Sequence, residues 1–364
     1  MPNKLLLVES PVKAQKLQSF LSEEWRVEAT FGHVCDFPRK KMGIEIQAHF
    51  KPTYLPLPEK TKLLARIKQA AEQVEAVYIG MNADGEGDSI AWHTLRLINL
   101  PNQIPVYRLT LSAITAEAVK AALKNPTALD RGLMEAEETR RIMDRLVSYN
   151  CSPAATKLLK RPVRVERLEA FLLRMLVERE QQIEASEPSP RYVLSGKFQV
   201  GETPIEASLT SFKEQSIGEG LRSQSHIQTL MRGLEKGVFW IGDVQTTQET
   251  LSPPPPFTMS SLFQLITAFD LPISSVRTVI HALYEGGWIT FPYPRNETVP
   301  PDATASVCKW IEAQYGADYL PDEKTVIAEG MRPTNCHTQP EQSGLTGNAL
   351  VLYTLIWKRF VASH

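Results

Sequence analysis

Short apolar runs alternate with amphipathic helical patterns over the first 125 residues, and this alternation limits the fold more than any other feature of the chain. A β-α-β-α order needs crossover connections, which predict a parallel sheet with helices on its faces. The predicted strands are residues 5–8, 27–31 and 76–81, and the predicted helices are residues 11–20 and 62–74. Because ligands of such sheets bind beyond the carboxyl ends of the strands, those ends are where we look for function.

Acidic side chains follow two of these strand ends. Glu9 comes directly after the first strand. Asp84 and Glu86 follow the 76–81 strand, in the sequence N-A-D-G-E-G-D that starts at Asn82. Carboxylate and amide oxygens are the ligands that hard divalent cations prefer, and glycines let a phosphate approach the backbone closely. We therefore expect a cation site where the two strand ends converge; the alternative is a solvated acidic turn between strand and helix.

Composition excludes several classes of protein. The net charge of −1 predicts no nucleic-acid partner from global charge, so any basic footprint must be local. The apolar runs are too short to span a bilayer, and no signal pattern precedes the first strand. Four scattered cysteines without a CxxC pair argue against a zinc site or a disulfide framework and favour a reducing cytoplasm. These cysteines are Cys35, Cys151, Cys308 and Cys336.

A local basic region does occur, in a stretch where an apolar stripe over residues 135–149 predicts a helix. Between residues 140 and 179, ten lysines and arginines oppose four acidic residues, an excess of six. Such a concentration of positive charge on helices favours binding to phosphates. The alternative is a solvated helical face with ion pairs between residues four positions apart.

The second half of the chain changes character at a run of four prolines, residues 253–256, which indicates a stiff domain boundary. The alternating pattern before this run predicts antiparallel sheet. Beyond the run, short helices followed by a turn and strand at 286–291 resemble a winged-helix nucleic-acid module. These helices are predicted over residues 260–269, 274–284 and 303–315, and a final amphipathic helix over 349–364.

Four segments carry long motifs in a fixed order. They read LVESPVKA at 7–14, NADGEGDSIAWH at 82–93, RRIMDRL at 140–146, and LYEGGWIT at 283–290, which leads into Tyr293-Pro294-Arg295. Together, over nearly the whole chain, they resemble the type IA DNA topoisomerases. The resemblance implies a multidomain α/β plus α architecture. Its parts are a Toprim-like parallel α/β metal domain (1–128), a helical basic DNA-binding segment (129–188), an antiparallel β-rich arch segment (189–252), a winged-helix-like domain with the tyrosine (253–345), and a return helix of an incomplete arch (346–364).

The resemblance also implies a chemistry and a set of site residues. Enzymes of this family cleave and rejoin single-stranded DNA through a 5′-phosphotyrosine, without ATP, and so relax or decatenate DNA. The implied nucleophile is Tyr293, and Arg295 would stabilise the phosphate that it attacks. Lys13 would contact the scissile phosphate, while Glu9 would transfer a proton. The implied Mg²⁺ ligands are Glu9, Asp84 and Glu86, and the implied DNA contacts are His33, Arg108, Arg140, Arg141, Asp144, Arg145 and Arg164.

The chain departs from the family pattern at several positions. Asn82 replaces an aspartate, which removes a negative charge from the expected metal site, and Gly85 replaces an arginine. Ala328 stands where the family has a histidine. The strand before the tyrosine carries two extra residues, Phe291-Pro292, so the assignment of Tyr293 depends on the Pro-Arg that follows it. The chain ends where the family's arch would return, which predicts one of three situations: a missing C-terminal region, an additional subunit, or a naturally shortened member of the family.

Three functions are compatible with these observations. The first is an active magnesium-dependent topoisomerase in the cytoplasm, associated with the nucleoid. The second is a homologue that binds single-stranded DNA but has lost efficient cleavage. The third is a metal-dependent nuclease or primase-like phosphotransferase that uses only the acidic domain, against which the collinear tyrosine segment argues. A covalent protein–DNA adduct, formed with magnesium, would distinguish the first from the second.

Overall fold

The computed structural model describes residues 2–186, 191–212, 215–217, 221, 223–249, 251, 253–269, 271–294, 298–320 and 327–364. It contains two compact units. One comprises Met1–Glu166 together with Leu251–His364, and the other comprises Arg167–Thr250. The domain boundaries drawn from the sequence stay predictions.

The described strands and helices are as follows. The strands are β1 (Lys4–Val8), β2 (Trp25–Ala29), β3 (Cys35–Asp36), β4 (Ile44–Glu45), β5 (Lys51–Pro52), β6 (Leu55–Pro56), β7 (Ala76–Ile79), β8 (Val106–Arg108), β9 (Ser195–Val200), β10 (Thr203–Ser208), β11 (Ser211–Phe212) and β12 (Gln215–Ser216). The helices are α1 (Pro11–Phe20), α2 (Thr61–Ala71), α3 (Gly85–Ile98), α4 (Ala116–Lys124), α5 (Arg131–Leu159), α6 (Arg167–Ala185), α7 (Gln224–Leu234), α8 (Met259–Ile266), α9 (Ile273–Glu285), α10 (Pro301–Tyr315) and α11 (Gly347–Ala362).

The predicted parallel sheet is confirmed. Its order is β2-β1-β7-β8, and every neighbouring pair is parallel. In the central strand β1, Leu5 and Leu7 pack into one core with Ile67. Leu6 and Val8 pack into another, which also contains buried residues of α8 to α11. Both faces of β1 are therefore buried, which explains why its sequence is continuously apolar rather than alternating.

Two helix starts place polar side chains beside the sheet. The Ser10 hydroxyl accepts a hydrogen bond from the Lys13 backbone N–H at 3.1 Å, and Pro11 occupies the first position of α1. This start agrees with the helix predicted over residues 11–20 and sets Lys13 in the first turn. Asp84 caps α3 in the same way, through a 2.7 Å hydrogen bond from the Gly87 N–H.

Other segments differ from the sequence predictions. Residues 38–60 were expected as a loop, but they take part in two short antiparallel pairs, β3 with β6 and β4 with β5. The stretch predicted as antiparallel sheet does pair β9 with β10 and β11 with β12, but it also contains α7, because Ser223 caps a helix that buries Ile227 and Leu230. Ile289 forms an isolated bridge to Pro333 instead of belonging to a strand.

The basic helix is longer than predicted. The pattern indicated a helix over residues 135–149, whereas α5 spans 29 residues with Pro153 inside it. None of the helices in the described ranges combines the length and apolar character that crossing a membrane requires.

Candidate active site at the carboxyl ends of the parallel strands

Lys13 and Glu9 form the centre of the site. The Lys13 side chain is 1% exposed, and its Nζ donates to Glu9 Oε2 at 3.1 Å and to Asn82 Oδ1 at 3.3 Å. The Asn82 backbone N–H donates to the other Glu9 oxygen. Burial alone lowers the pKa of Lys13, but the Glu9 carboxylate and the nearby Tyr284 outweigh it, so that this pKa lies above its ordinary value. Lys13 is therefore a buried, permanently charged ammonium that links the two predicted strand ends.

The acids on α3 are held differently from each other. Burial raises the pKa of Asp84; the Gly87 N–H opposes this effect, and the neighbouring charges of Glu9 and Glu86 add to it. Glu86 Oε1 lies 3.2 Å from Nε2 of His33, and this hydrogen bond lowers the pKa of Glu86. The charges of Glu9 and Glu86 thus disfavour ionisation of Asp84, an effect that a bound cation would offset.

The donor types suit a hard divalent cation, but the carboxylates are partly engaged. Glu9 is bound by Lys13, and Glu86 contacts His33. Within the described ranges, no group of three or more histidine, cysteine, aspartate or glutamate side chains is arranged to hold a metal ion.

Arg108 lies inside the protein rather than at a DNA-accessible surface. Its side chain is 5% exposed, and its Nε donates to Asp88 Oδ1 at 2.7 Å. Its terminal nitrogens donate to carbonyl oxygens that follow or end the parallel strands. These are the carbonyls of Ile79, Met81, Asn82 and Leu109. The buried Asp88 on α3 and these carbonyls hold the guanidinium in place, and the predicted DNA contact of Arg108 stays a prediction.

The arginines of α5 bind the segment between β3 and β6. Arg141 Nη2 contacts Asp36 Oδ1 at 2.7 Å, and its guanidinium stacks over the Tyr54 ring at 5.3 Å. Arg145 donates to the carbonyl oxygens of Pro38 and Lys41, both at 2.6 Å. Much of the predicted basic face therefore holds neighbouring backbone in place.

Two further predicted DNA contacts are more open to solvent. Arg140 is half exposed and forms ion pairs with Glu137 and, at 2.7 Å, with Asp144. The Arg164 side chain is 79% exposed and pairs with Glu166 at 2.7 Å. Ion pairs as exposed as these contribute little to stability, so both arginines can exchange their partner for a phosphate.

The tyrosine segment approaches the acidic cluster through Phe291. The Phe291 side chain is buried, and its N–H donates to the Ser112 carbonyl at 2.8 Å. Tyr293 is exposed, with its ring 5.8 Å from that of Phe291. The other predicted residue of this segment, Arg295, lies outside the described residues.

Sequence reasoning missed two elements of the site. Tyr284 is fully buried, with Lys13 Nζ 5.8 Å from its ring centroid. The Arg332 Nε donates to Glu329 Oε1 at 3.2 Å, and burial raises the pKa of Glu329 despite this arginine. Tyr284 lies within the LYEGGWIT motif, which was its only signal. The Glu329–Arg332 pair could be found only from the fold, because a spacing of three residues is common for surface ion pairs as well.

Comparison with known proteins agrees with this geometry. The Toprim domain model matches residues 4–114, and a DNA topoisomerase family model matches residues 128–364. Toprim domains bind metal ions. The structure of full-length topoisomerase I from Thermotoga maritima is similar to this chain, with 28% sequence identity and a TM-score of 0.81. That match covers 99% of this chain and 60% of the Thermotoga chain, so the present chain spans about three fifths of that relative's length. The chain belongs to the type IA DNA topoisomerase family.

Proposed function

We propose that this chain is a type IA DNA topoisomerase that transiently cleaves and rejoins single-stranded DNA through a 5′-phosphotyrosine, and thereby relaxes or decatenates DNA. One observation carries the proposal. The buried Lys13 ammonium, bound to Glu9, lies against the ring of Tyr284 in the segment that leads to Tyr293. A charged group suited to a phosphate and a candidate nucleophile therefore belong to one compact unit.

The residues present suit the reaction. In the proposed step, Tyr293 Oη attacks the phosphorus, the phosphorus–O3′ bond breaks, and its electron pair goes to the 3′ oxygen, which takes up a proton. Lys13 would offset the charge that develops on the phosphate, and Glu9 would move protons at the 3′ oxygen. Asp84 and Glu86, with Glu9, would hold Mg²⁺, which would neutralise further phosphate charge. ATP is not required, because the phosphotyrosyl bond conserves the energy of the broken bond.

Several further contacts to DNA belong to the same proposal. We infer that His33, Arg140, Arg141, Arg145 and Arg164 contact the strand, with Asp144 orienting Arg140. Arg141 Nη1 is buried and has no hydrogen-bond partner in the part of the chain that the structure describes, which leaves a donor available to a phosphate. The three helices α8, α9 and α10 would form the winged-helix-like element that carries Tyr293. A DNA substrate would place the protein at the nucleoid.

Covalent trapping tests the proposed function. The protein is incubated with end-labelled single-stranded DNA and magnesium, then denatured, and the labelled protein is separated by electrophoresis. We expect a labelled adduct with the wild-type chain, none with Tyr293→Phe, and none when EDTA replaces magnesium. Tyr315→Phe is a matched control, since it removes an exposed hydroxyl from α10 and should leave the adduct unchanged. A wild-type chain that forms no adduct would refute the proposal.

The second candidate is a homologue that binds DNA without efficient cleavage. Two observations favour it: Asn82 presents a neutral oxygen to Lys13, and Tyr293 is exposed. This candidate predicts salt-dependent binding of single-stranded DNA without any adduct. Binding and trapping measured on the same preparation therefore separate the two functions.

A further inference from the structure

Two aromatic side chains of the tyrosine segment, Phe291 and Tyr293, differ in their burial. The inner aromatic position is Phe291, which is 4% exposed and lies 5.3 Å from the Tyr284 ring, centroid to centroid. Tyr284 in turn lies beside the Lys13 ammonium. The outer aromatic position is Tyr293, which is 42% exposed, with its ring 5.8 Å from that of Phe291. The side chain that carries a hydroxyl, Tyr293, is therefore the exposed one, and the buried ring of Phe291 has no hydroxyl.

The inner position opens onto a cavity of about 70 Å³. Phe291 lines this cavity together with Ala83, the neighbour of Asp84, and with the Glu329–Arg332 pair. Tyr293 is not among the described residues that line this cavity. The cavity thus joins the acidic loop to the inner position and bypasses the outer one.

The cavity is chemically suited to an oxygen nucleophile and a phosphate. Arg332 donates through Nε to Glu329, and its terminal amino groups have no hydrogen-bond partner among the residues that the structure describes. A guanidinium carries five donors, so this one retains capacity for an anion. Thr290 and Ser112 line the same space, and a buried phenol hydroxyl needs a polar partner of this kind.

We propose that a phenol hydroxyl at the inner aromatic position would reach the phosphodiester, and that Phe291 leaves this position without a nucleophile. The proposal rests on the cleavage chemistry proposed above. It follows that Phe291→Tyr supplies a nucleophile that does not depend on Tyr293. The introduced oxygen would form the bond to phosphorus, the phosphorus–O3′ bond would break with its electron pair leaving on O3′, and the phenol proton would pass to a carboxylate or to water. No other reactant is needed.

The test compares adduct formation by Y293F and by the double variant F291Y/Y293F. Y293F should form no adduct, whereas F291Y/Y293F should form one if the introduced hydroxyl is correctly placed, because misplacing a nucleophile by about 1 Å costs on the order of 100-fold in rate. The control is F360Y/Y293F, which adds a hydroxyl to another buried ring, on α11, and should form no adduct. The substrates are a single-stranded oligonucleotide and its 3′-phosphorothiolate form, whose sulfur leaves without being protonated.

The outcomes separate this proposal from the proposed function. An F291Y/Y293F adduct, mapped to position 291 by peptide mass spectrometry, supports the inner position whether or not the wild-type chain reacts. Absence of that adduct with both substrates, in a variant that melts like Y293F, overturns the proposal even if the wild-type chain is active. The wild-type and Y293F arms alone decide the proposed function.

A second variant keeps the test valid if the added hydroxyl prevents folding. F291C/Y293F has a smaller side chain, which cannot overpack the cavity. Bound oligonucleotide should slow iodoacetamide alkylation of the introduced thiol, with Cys308 on α10 as the internal reference. An alkylation rate that DNA does not change would overturn the proposal.

Discussion

Replacing Arg108 by methionine should lower the free energy of unfolding by about 3–5 kcal/mol, the cost of removing one partner of a buried ion pair. The guanidinium donates to five acceptors: one Asp88 oxygen and four backbone carbonyls around the ends of β7 and β8. Methionine fills a similar volume but removes both the charge and every donor. The four carbonyls lie near the acidic loop, where water can replace part of the lost hydrogen bonding. The expected loss therefore includes no separate contribution from each carbonyl.

Urea unfolding followed by tryptophan fluorescence measures this loss. R108K retains the charge but has only three donors, so its loss should be smaller. The double variant R108M/D88N removes the opposing buried charge as well, and it should recover part of the stability that R108M loses. The loss in R108M should change little with ionic strength, because an ion pair at 2.7 Å and this depth is only weakly screened by salt.

The same variant distinguishes a structural Arg108 from a DNA contact. If Arg108 contacts a phosphate, R108M should retain the urea midpoint of the wild-type chain and should bind single-stranded DNA with a shallower dependence on salt. That combination would refute the role derived from the structure. A loss of stability with an unchanged salt slope supports it.

Three further predictions follow from the site and its surroundings. Asn82→Asp should raise adduct formation at low magnesium, because it adds a charged oxygen beside Glu9, and an unchanged magnesium dependence would count against a metal role for this cluster. Asp84→Asn should increase stability at neutral pH in EDTA, because burial and neighbouring acids raise the pKa of Asp84 in the folded state while asparagine still caps α3. This gain should shrink as the pH falls through the folded-state pKa and vanish below the unfolded value; a loss of stability at every pH in urea titrations would contradict it. Arg164→Ala should reduce the slope of log affinity against log salt by about one unit without changing the urea midpoint, and an unchanged slope would exclude a phosphate contact.

The sheet and the strand-end cluster could be predicted because they depend on local patterns. A continuous apolar run such as β1 indicates a strand buried on both faces, and acids directly after two parallel strands must lie at the same edge. Asp84 followed from its position after a strand and Lys13 from the family resemblance, and the helix starts at Ser10 and Asp84 explain where the structure holds them.

The directions of individual arginines could not be predicted in this way. Arg108 and Arg164 are the same residue type in equally ordinary sequence surroundings, yet one is buried and the other exposed. What separates them is a distant partner, Asp88, which only the fold brings to Arg108. The burial of Phe291 and the exposure of Tyr293 could not be predicted either. The Phe291 N–H donates to the Ser112 carbonyl, a contact that only the fold creates.

The core shared by β1 and helices α8 to α11 also determines when the site can exist during synthesis. Leu6 and Val8 belong to one continuous core with residues as late in the chain as Phe360. A ribosome that adds about 5–20 residues per second needs tens of seconds to produce the later part. Until then one face of the sheet lacks much of its cover, and Lys13 lacks the Tyr284 ring beside it. The nascent chain therefore cannot assemble the cluster and the aromatic segment into one site before most of its length has been translated.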